Sequence, residues 1–349
     1  MTLDPATVTV IAPNLKKRYS GVTSTVLRLV PLQARQIAIA SVGPKLPPEI
    51  PQIRLRDLLT MPRRLRVWHA RRNNEMLAGL ALKHILRQPL KLMFTSAAQR
   101  QHSAWTKGLI RRMDKVVATS ARSAAFLDAP AQVIHHGIDT DHFAPAPARA
   151  ALRQQLGLPH DKVLLGCFGR VRPSKGNDLF IDAMIAVLPD FPDVHAVMMG
   201  GVTEAFMDYA ADLRTRAAAS PVADRIHILP EDPGWTIAPW FQAIDLYIAP
   251  QRNEGFGLTP LEAASCGVPS IATDTGAFAE IVAQDVTGLL IPTDDPAALQ
   301  QAIRTALSDP ARLSRWAAAC RPRAVNGFRI ADEAAALIAI YRALLGPSA

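Results

Sequence analysis

Residues 252–269, "RNEGFGLTPLEAASCGVP", carry two carboxylates, Glu254 and Glu262, eight positions apart. Gly255, Phe256, Gly257 and Leu258 lie between them, followed by Thr259. Thr259 suits a helix N-cap, Pro260 the first helical position and Glu262 the capping-box position, with Gly267 and Pro269 closing the helix. A capping box accounts for Glu262 alone. Glu254 and the glycines then fall on the loop before the helix, where Gly255 and Gly257 let the backbone come close to a ligand. The N–H groups of a helix start receive anions, and ionised carboxylates accept hydrogen bonds from hydroxyls. An anion flanked by two hydroxyl-binding acids describes a nucleotide-sugar: ribose, diphosphate, hexose.

Further candidates surround this stretch. "FGRVRPSKG" places Arg170 and Lys175 just after an apolar run. Alone they are two loop cations; beside the two glutamates they suit phosphate oxygens, which the Arg fork matches. "APNLKKRYSGVTSTV" puts Gly21 and a Ser/Thr cluster at the opening of a helix, with Lys16 and Arg18 either assisting or solvated. "VIHHGIDTDHF" gathers His135, His136, Asp139, Asp141 and His142, including a D-x-D. Residue types alone make no coordination sphere, so this run is weak support for a metal.

The elements that must hold these residues alternate. Apolar runs at 8–13, 36–42, 65–69, 90–95 and 115–119 read as strands, with helices at 22–34, 70–87 and 120–127. Strands follow at 163–169, 193–200, 225–229, 245–250, 268–273 and 287–292, separated by helices near 204–219, 236–243, 260–266, 276–283 and 295–308. Apolar strands alternating with helices mean parallel sheets covered on both faces. Pro145 and Pro147 mark a linker. The expected α/β chain has two doubly wound, Rossmann-like domains facing across a crevice, at 1–145 and 146–328, and a helix at 329–349. Such sheets bind ligands at the carboxyl ends of their strands.

Bulk composition narrows the partners. The 349 residues are 49% hydrophobic and 20% charged, enough for two cores. The net charge of +9 is lopsided: residues 1–145 carry 22 Lys and Arg against 8 Asp and Glu, a balance of +14, while residues 146–349 carry 17 against 22, a balance of −5. The basic half suits an anionic lipid, nucleic acid or an acidic acceptor, or is a solvated surface of an Arg-rich chain. Aromatics at 6% and no RNA-binding module argue against nucleic acid. Three cysteines in no metal or disulfide pattern point to a reducing compartment. No signal peptide and no membrane-spanning run are expected, and the location is cytoplasmic.

"EGFGLTPLE" resembles the E-x7-E signature of the retaining glycosyltransferases of family 4, which have the GT-B fold. The resemblance implies that Glu254 approaches the donor hexose and Glu262 the ribose. It also implies that Arg170 and Lys175 hold the diphosphate in place of a metal, that the Gly21 loop reaches the phosphates, and that 1–145 binds the acceptor and 146–328 the nucleotide-sugar, with the helix at 329–349 crossing back to the first domain. Catalytic roles then fall to Glu254, Arg170 and Lys175, with no cofactor and no metal. Relatives carry a linker like "GIDTDHF", which speaks against a metal there. "VWHARRNNEM" and "FTSAAQR" look like bacterial lipopolysaccharide core mannosyltransferases. That implies GDP-mannose as donor, a membrane-held anionic glycolipid as acceptor, and peripheral contact with the cytoplasmic face of the inner membrane. His69, Arg71, Arg72, Arg100 and His102 become acceptor candidates. Ser96 stands where many members of the family have a histidine, so either Ser96 bonds the sugar or His102 reaches in. Base selection is expected near "LPEDPGW" (229–235). Another nucleotide-sugar or acceptor, or a non-catalytic sugar-nucleotide binder, stays open.

Overall fold

The computed structural model describes residues 2–16, 21–232 and 237–346. The chain divides into two compact units: Met1–Gly137 with Ile330–Ala349, and Ile138–Arg329.

In the first unit, β1 (Val10–Pro13), β2 (Ile39–Val42), β3 (Arg66–Ala70), β4 (Leu90–Ser96), β5 (Lys115–Ala118) and β6 (Gln132–Val133) form a sheet of order β2-β1-β3-β4-β5-β6. All its pairings are parallel. Alternate residues of β1 serve opposite faces: Ile11 joins the core under the helices Asn73–His84 and Ala104–Ile110, while Val10 and Ala12 join the core under Gly21–Gln33. Burial on both faces is why the strands read as continuous apolar runs. The C-terminal helix, Ile330–Leu345, packs against the second of these faces through Leu337, Ile338 and Tyr341.

In the second unit, β7 (Val163–Phe168), β8 (Val194–Met199), β9 (Ile226–Leu229), β10 (Leu246–Ala249), β11 (Ser270–Thr273) and β12 (Gly288–Ile291) run in the order β12-β11-β10-β7-β8-β9, again all parallel. Chain order turns outward in both directions from β7 and β10. That pair is the topological switch point, where an open α/β sheet leaves a crevice for ligand at its carboxyl edge.

The division falls at Gly137, earlier than the prolines suggest. Residues 138–145 fold onto the second unit, because Phe143 packs edge-on to Phe241 and its carbonyl accepts from Ser265 and Arg321. Among the described residues no helix is long and apolar enough to cross a membrane.

Candidate functional site

Lys175 and Glu254 meet at the switch point. Lys175 ends a short 3₁₀ turn, Pro173–Lys175, after β7; Glu254 sits on the loop after β10. Their side chains form an ion pair, each only about a fifth exposed. The second oxygen of Glu254 accepts from the Gly255 N–H at 3.0 Å.

The framework holding this pair is built largely by Arg252. Its guanidinium takes Asp178 in a fork, with both bonds at 2.8 Å, and reaches the Pro173 carbonyl at 2.6 Å and Asp294 at 2.7 Å. The backbone N–H of Arg252 donates to the Ser174 carbonyl at 3.1 Å. Tyr209 donates to Asp178 from the other side at 2.8 Å. Partial burial pushes the Asp178 carboxyl up, but the bonds from Arg252 and Tyr209 outweigh it and hold the group below the usual carboxylate range. Neither Arg252 nor Asp178 was singled out by spacing, since an ion pair across 74 residues leaves no local signature.

The rest of the signature is arranged differently from expectation. The helix is Thr259–Ser265, but Leu258 is the residue before it and no side chain caps it. Thr259 is therefore the first helical residue, and the capping box with Glu262 does not form. Thr259 bonds the buried Tyr247 hydroxyl instead, and that hydroxyl donates to the Phe168 carbonyl at 3.0 Å. The Phe256 side chain points into the core, so only its backbone is left to face a donor. Gly257 has φ +87°, and a Cβ there would meet Phe278 at 2.1 Å and Glu254 at 2.7 Å. Its bareness serves packing beneath Glu254 as well as any approach of ligand. Gly276 was not read from sequence, yet a Cβ on it would come within 2.7 Å of the Phe256 carbonyl. Glu262 is half-buried and Arg170 exposed, the latter at the carboxyl end of β7.

The acceptor-side candidates divide. His69 lies on β3 with no exposure, its Nδ1 2.6 Å from the Tyr341 hydroxyl and its Nε2 2.7 Å from the Thr95 hydroxyl. Burial, reinforced by Arg71, pushes it well below its ordinary value, so it is a neutral core residue and not a surface ligand. Arg71 is 9% exposed and also turns inward. Arg72 binds Glu75 at 2.6 Å, Asn14 at 2.9 Å and Thr23 at 3.1 Å, which ties the loop after β1 to the loop after β3. Gly21 opens its helix in exposed surroundings. Ser96 ends β4, buried, with His102 Nε2 3.4 Å from its hydroxyl; Arg100 is exposed. Ser96 and His102 thus meet at one place.

Arg18 and residues 233–235 of the base-reading stretch lie outside the described residues. Among the described residues no group of three or more His, Cys, Asp or Glu is arranged to hold a metal. Asp139 instead accepts from the N–H groups of Asp141 and His142 at 3.1 and 3.0 Å. Cys167, Cys266 and Cys320 are free and buried, and burial pushes each thiol up to about 12, so none is a thiolate nucleophile.

Residues 148–323 match the family described as Glycosyl transferases group 1. The chain is 48% identical over 351 residues to the lipopolysaccharide core biosynthesis mannosyltransferase LpsB of Rhizobium meliloti, covering 98% of this chain and 99% of the relative. It is 47% identical to the protein of the same description, LpcC, of Rhizobium leguminosarum bv. viciae, covering 97% of each. Among solved structures it is similar to Anabaena Alr3699/HepE in complex with UDP, with a TM-score of 0.84 over 95% of this chain and 99% of that one. At 19% identity this last likeness is one of fold. The shared fold is GT-B, built from two Rossmann-like α/β domains.

Proposed function

The chain belongs to the group 1 glycosyl transferases, and we propose that it moves mannose from GDP-mannose to the inner core of lipopolysaccharide with retention of configuration. One observation carries the reading: a cation and an acid, Lys175 and Glu254, joined at the switch point of a parallel sheet. The names of the two rhizobial relatives support the choice of sugar and acceptor.

In this reading Lys175 and Arg170 neutralise the diphosphate as it leaves, Glu254 orients the hexose and Glu262 takes the ribose hydroxyls. Lys175 exchanges its carboxylate partner for phosphate oxygens when donor binds. The Gly255–Thr259 backbone lines the donor, and the Gly21 loop approaches its phosphates. Charge stabilisation by fixed cations needs no metal, and preorganised charges act most strongly where water is excluded. The acceptor hydroxyl attacks from the face the diphosphate leaves, and a departing phosphate oxygen takes its proton. No dedicated base is required, which is compatible with Ser96 and His102 in place of a histidine at the end of β4. Arg100, exposed two residues before His102 in the chain, serves the acceptor in this reading.

The first unit also suits contact with an anionic lipid surface on the cytoplasmic side. Among the described residues, eight of the ten exposed large apolar side chains belong to it, including Leu55, Leu59, Leu77, Ile85 and Trp105. Exposed arginines such as Arg54, Arg56, Arg87 and Arg111 lie beside them in sequence. Apolar and basic residues together are what an anionic bilayer surface binds.

A melting panel of GDP-, UDP- and ADP-sugars, followed by transfer assays on deacylated lipopolysaccharide core, tests the proposal. GDP-mannose is expected to raise Tm most, because a ligand bound only to the folded state stabilises by mass action. A larger shift with another donor replaces GDP-mannose; no shift with any donor removes the transferase reading of the site.

A further inference from the structure

A row of three residues crosses the carboxyl edge of the second sheet. β7 and β8 pair as far as Phe168 and Met199, and beyond them Val171 bridges Val202, with the Val171 N–H donating to the Gly201 carbonyl at 3.0 Å. Arg170 therefore stands beside Gly201. β8 and β9 pair as far as Met199 and Leu229, and the same register sets Gly201 beside Glu231. Successive residues of an extended chain serve opposite faces. Val171 and Val202 turn into the core, so Arg170, Gly201 and Glu231 share the other face. Arg170 and Glu231 are exposed, and the row is open to solvent.

Gly201 has no side chain, and the Glu231 carboxylate lies over it: a Cβ on Gly201 would meet Glu231 Oε2 at 2.2 Å and Oε1 at 2.7 Å. Among the described residues the Glu231 side chain makes no hydrogen bond and no ion pair, not even with Arg170 in the same row. The neighbouring acid is engaged: Asp232 accepts from Trp240 Nε1 at 2.5 Å, which fastens this loop to the helix Ala238–Ala243. Of the two acids in the stretch expected to read the base, one anchors the loop and the other has both oxygens to offer.

An ionised carboxylate only accepts hydrogen bonds. Among the common nucleotide bases guanine alone presents two adjacent donors on its pairing edge, N1–H and the 2-amino group, spaced to match two carboxylate oxygens. Uracil sets one N–H between two carbonyls, and adenine and cytosine each put an acceptor nitrogen beside the amine, so a carboxylate at that edge repels them. Positions 170 and 231 stand two strand spacings apart, about 10 Å, the scale on which a nucleoside separates its phosphate from its base. We propose that Glu231 selects the donor base: with the diphosphate on Arg170, the Glu231 carboxylate accepts from N1–H and the 2-amino group of guanine. This rests on the glycosyl-transfer reading above for the place of the diphosphate.

Calorimetric binding of free nucleoside diphosphates to the intact protein tests it. Inosine diphosphate differs from GDP only in lacking the 2-amino group. The wild type is expected to bind it about 10-fold or more weakly than GDP, the scale of a lost hydrogen bond to a charged group. Glu231→Gln replaces one acceptor by an N–H donor. It is expected to narrow the gap between GDP and inosine diphosphate and to improve binding of xanthosine diphosphate, which carries a carbonyl where guanine carries the amine. Damage to the loop alone would weaken all three alike; an exchange of preference requires contact with the base.

Equal affinity of the wild type for GDP and inosine diphosphate overturns the proposal, and so does a Glu231→Gln variant that keeps the wild-type order of the three. Either result, with GDP still bound, leaves the transferase reading standing and this one fallen. Tighter binding of UDP than of GDP also overturns it, and replaces GDP-mannose without removing glycosyl transfer. Binding of none of the nucleotides removes both readings together.

Discussion

Gly176 and Pro250 touch backbone to backbone: a Cβ on Gly176 would lie 2.0 Å from the Pro250 carbonyl oxygen. The contact seats the turn after β7 against the end of β10. It brings the Ser174 carbonyl under the N–H groups of Arg252 and Asn253, at 3.1 and 3.4 Å. Lys175 and Glu254 face each other because these two loops are pinned together here.

Gly176→Ala should therefore damage site and fold at once. The residue has φ +70°, a left-handed conformation that costs a non-glycine residue about 1–3 kcal/mol. The steric conflict with Pro250 adds to this and is relieved only by moving the turn. A Tm lowered by several degrees and a weakened donor-induced shift are expected in thermal melts with and without the nucleotide-sugar. An unchanged donor-induced shift would show that the turn does not position the donor site.

The strands were legible because a parallel sheet buried on both faces writes itself as apolar runs; the expected strand at 163–169 is found as Val163–Phe168. The two-glutamate stretch was legible because Pro260 and the glycines punctuate it. What stayed hidden depends on contacts distant in sequence. Arg252 stands two residues before Glu254 but acts on Asp178 and Pro173, about which its neighbours say nothing. Thr259 has every local mark of an N-cap, yet the buried Tyr247 hydroxyl takes its side chain. His69 was expected on the acceptor side; it is buried because Thr95 and Tyr341, 26 and 272 residues away, satisfy both ring nitrogens.

The burial of His69 sets a pH dependence. Its folded-state value lies well below the ordinary 6.5, from burial first and then from Arg71. As pH falls below about 6.5, the unfolded chain takes up a proton that the folded chain does not. Stability is then lost toward acid, at up to about 1.4 kcal/mol per pH unit for this one group, and the loss is absent above about pH 7.5. His69→Gln cannot titrate, so its denaturation curves should lose less stability than the wild type between about pH 7 and 5. Parallel losses in the two proteins would place the acid sensitivity elsewhere.

Lys175 offers the sharpest test of the donor site, because it has two candidate roles. It either serves the departing diphosphate or merely neutralises Glu254, its partner in the ion pair. Lys175→Ala is expected to lower kcat about 10²-fold or more at saturating donor, the scale seen when one charge-stabilising donor is lost. Removing a partner also leaves a partly buried carboxylate uncompensated, so some stability is lost whichever role is correct. The double variant with Glu254→Gln separates them. If Lys175 only neutralises Glu254, adding Lys175→Ala to Glu254→Gln costs nothing further in kcat. If it acts on the diphosphate, the second substitution still costs most of its original factor, and Lys175→Arg, which keeps the charge, recovers part of the loss.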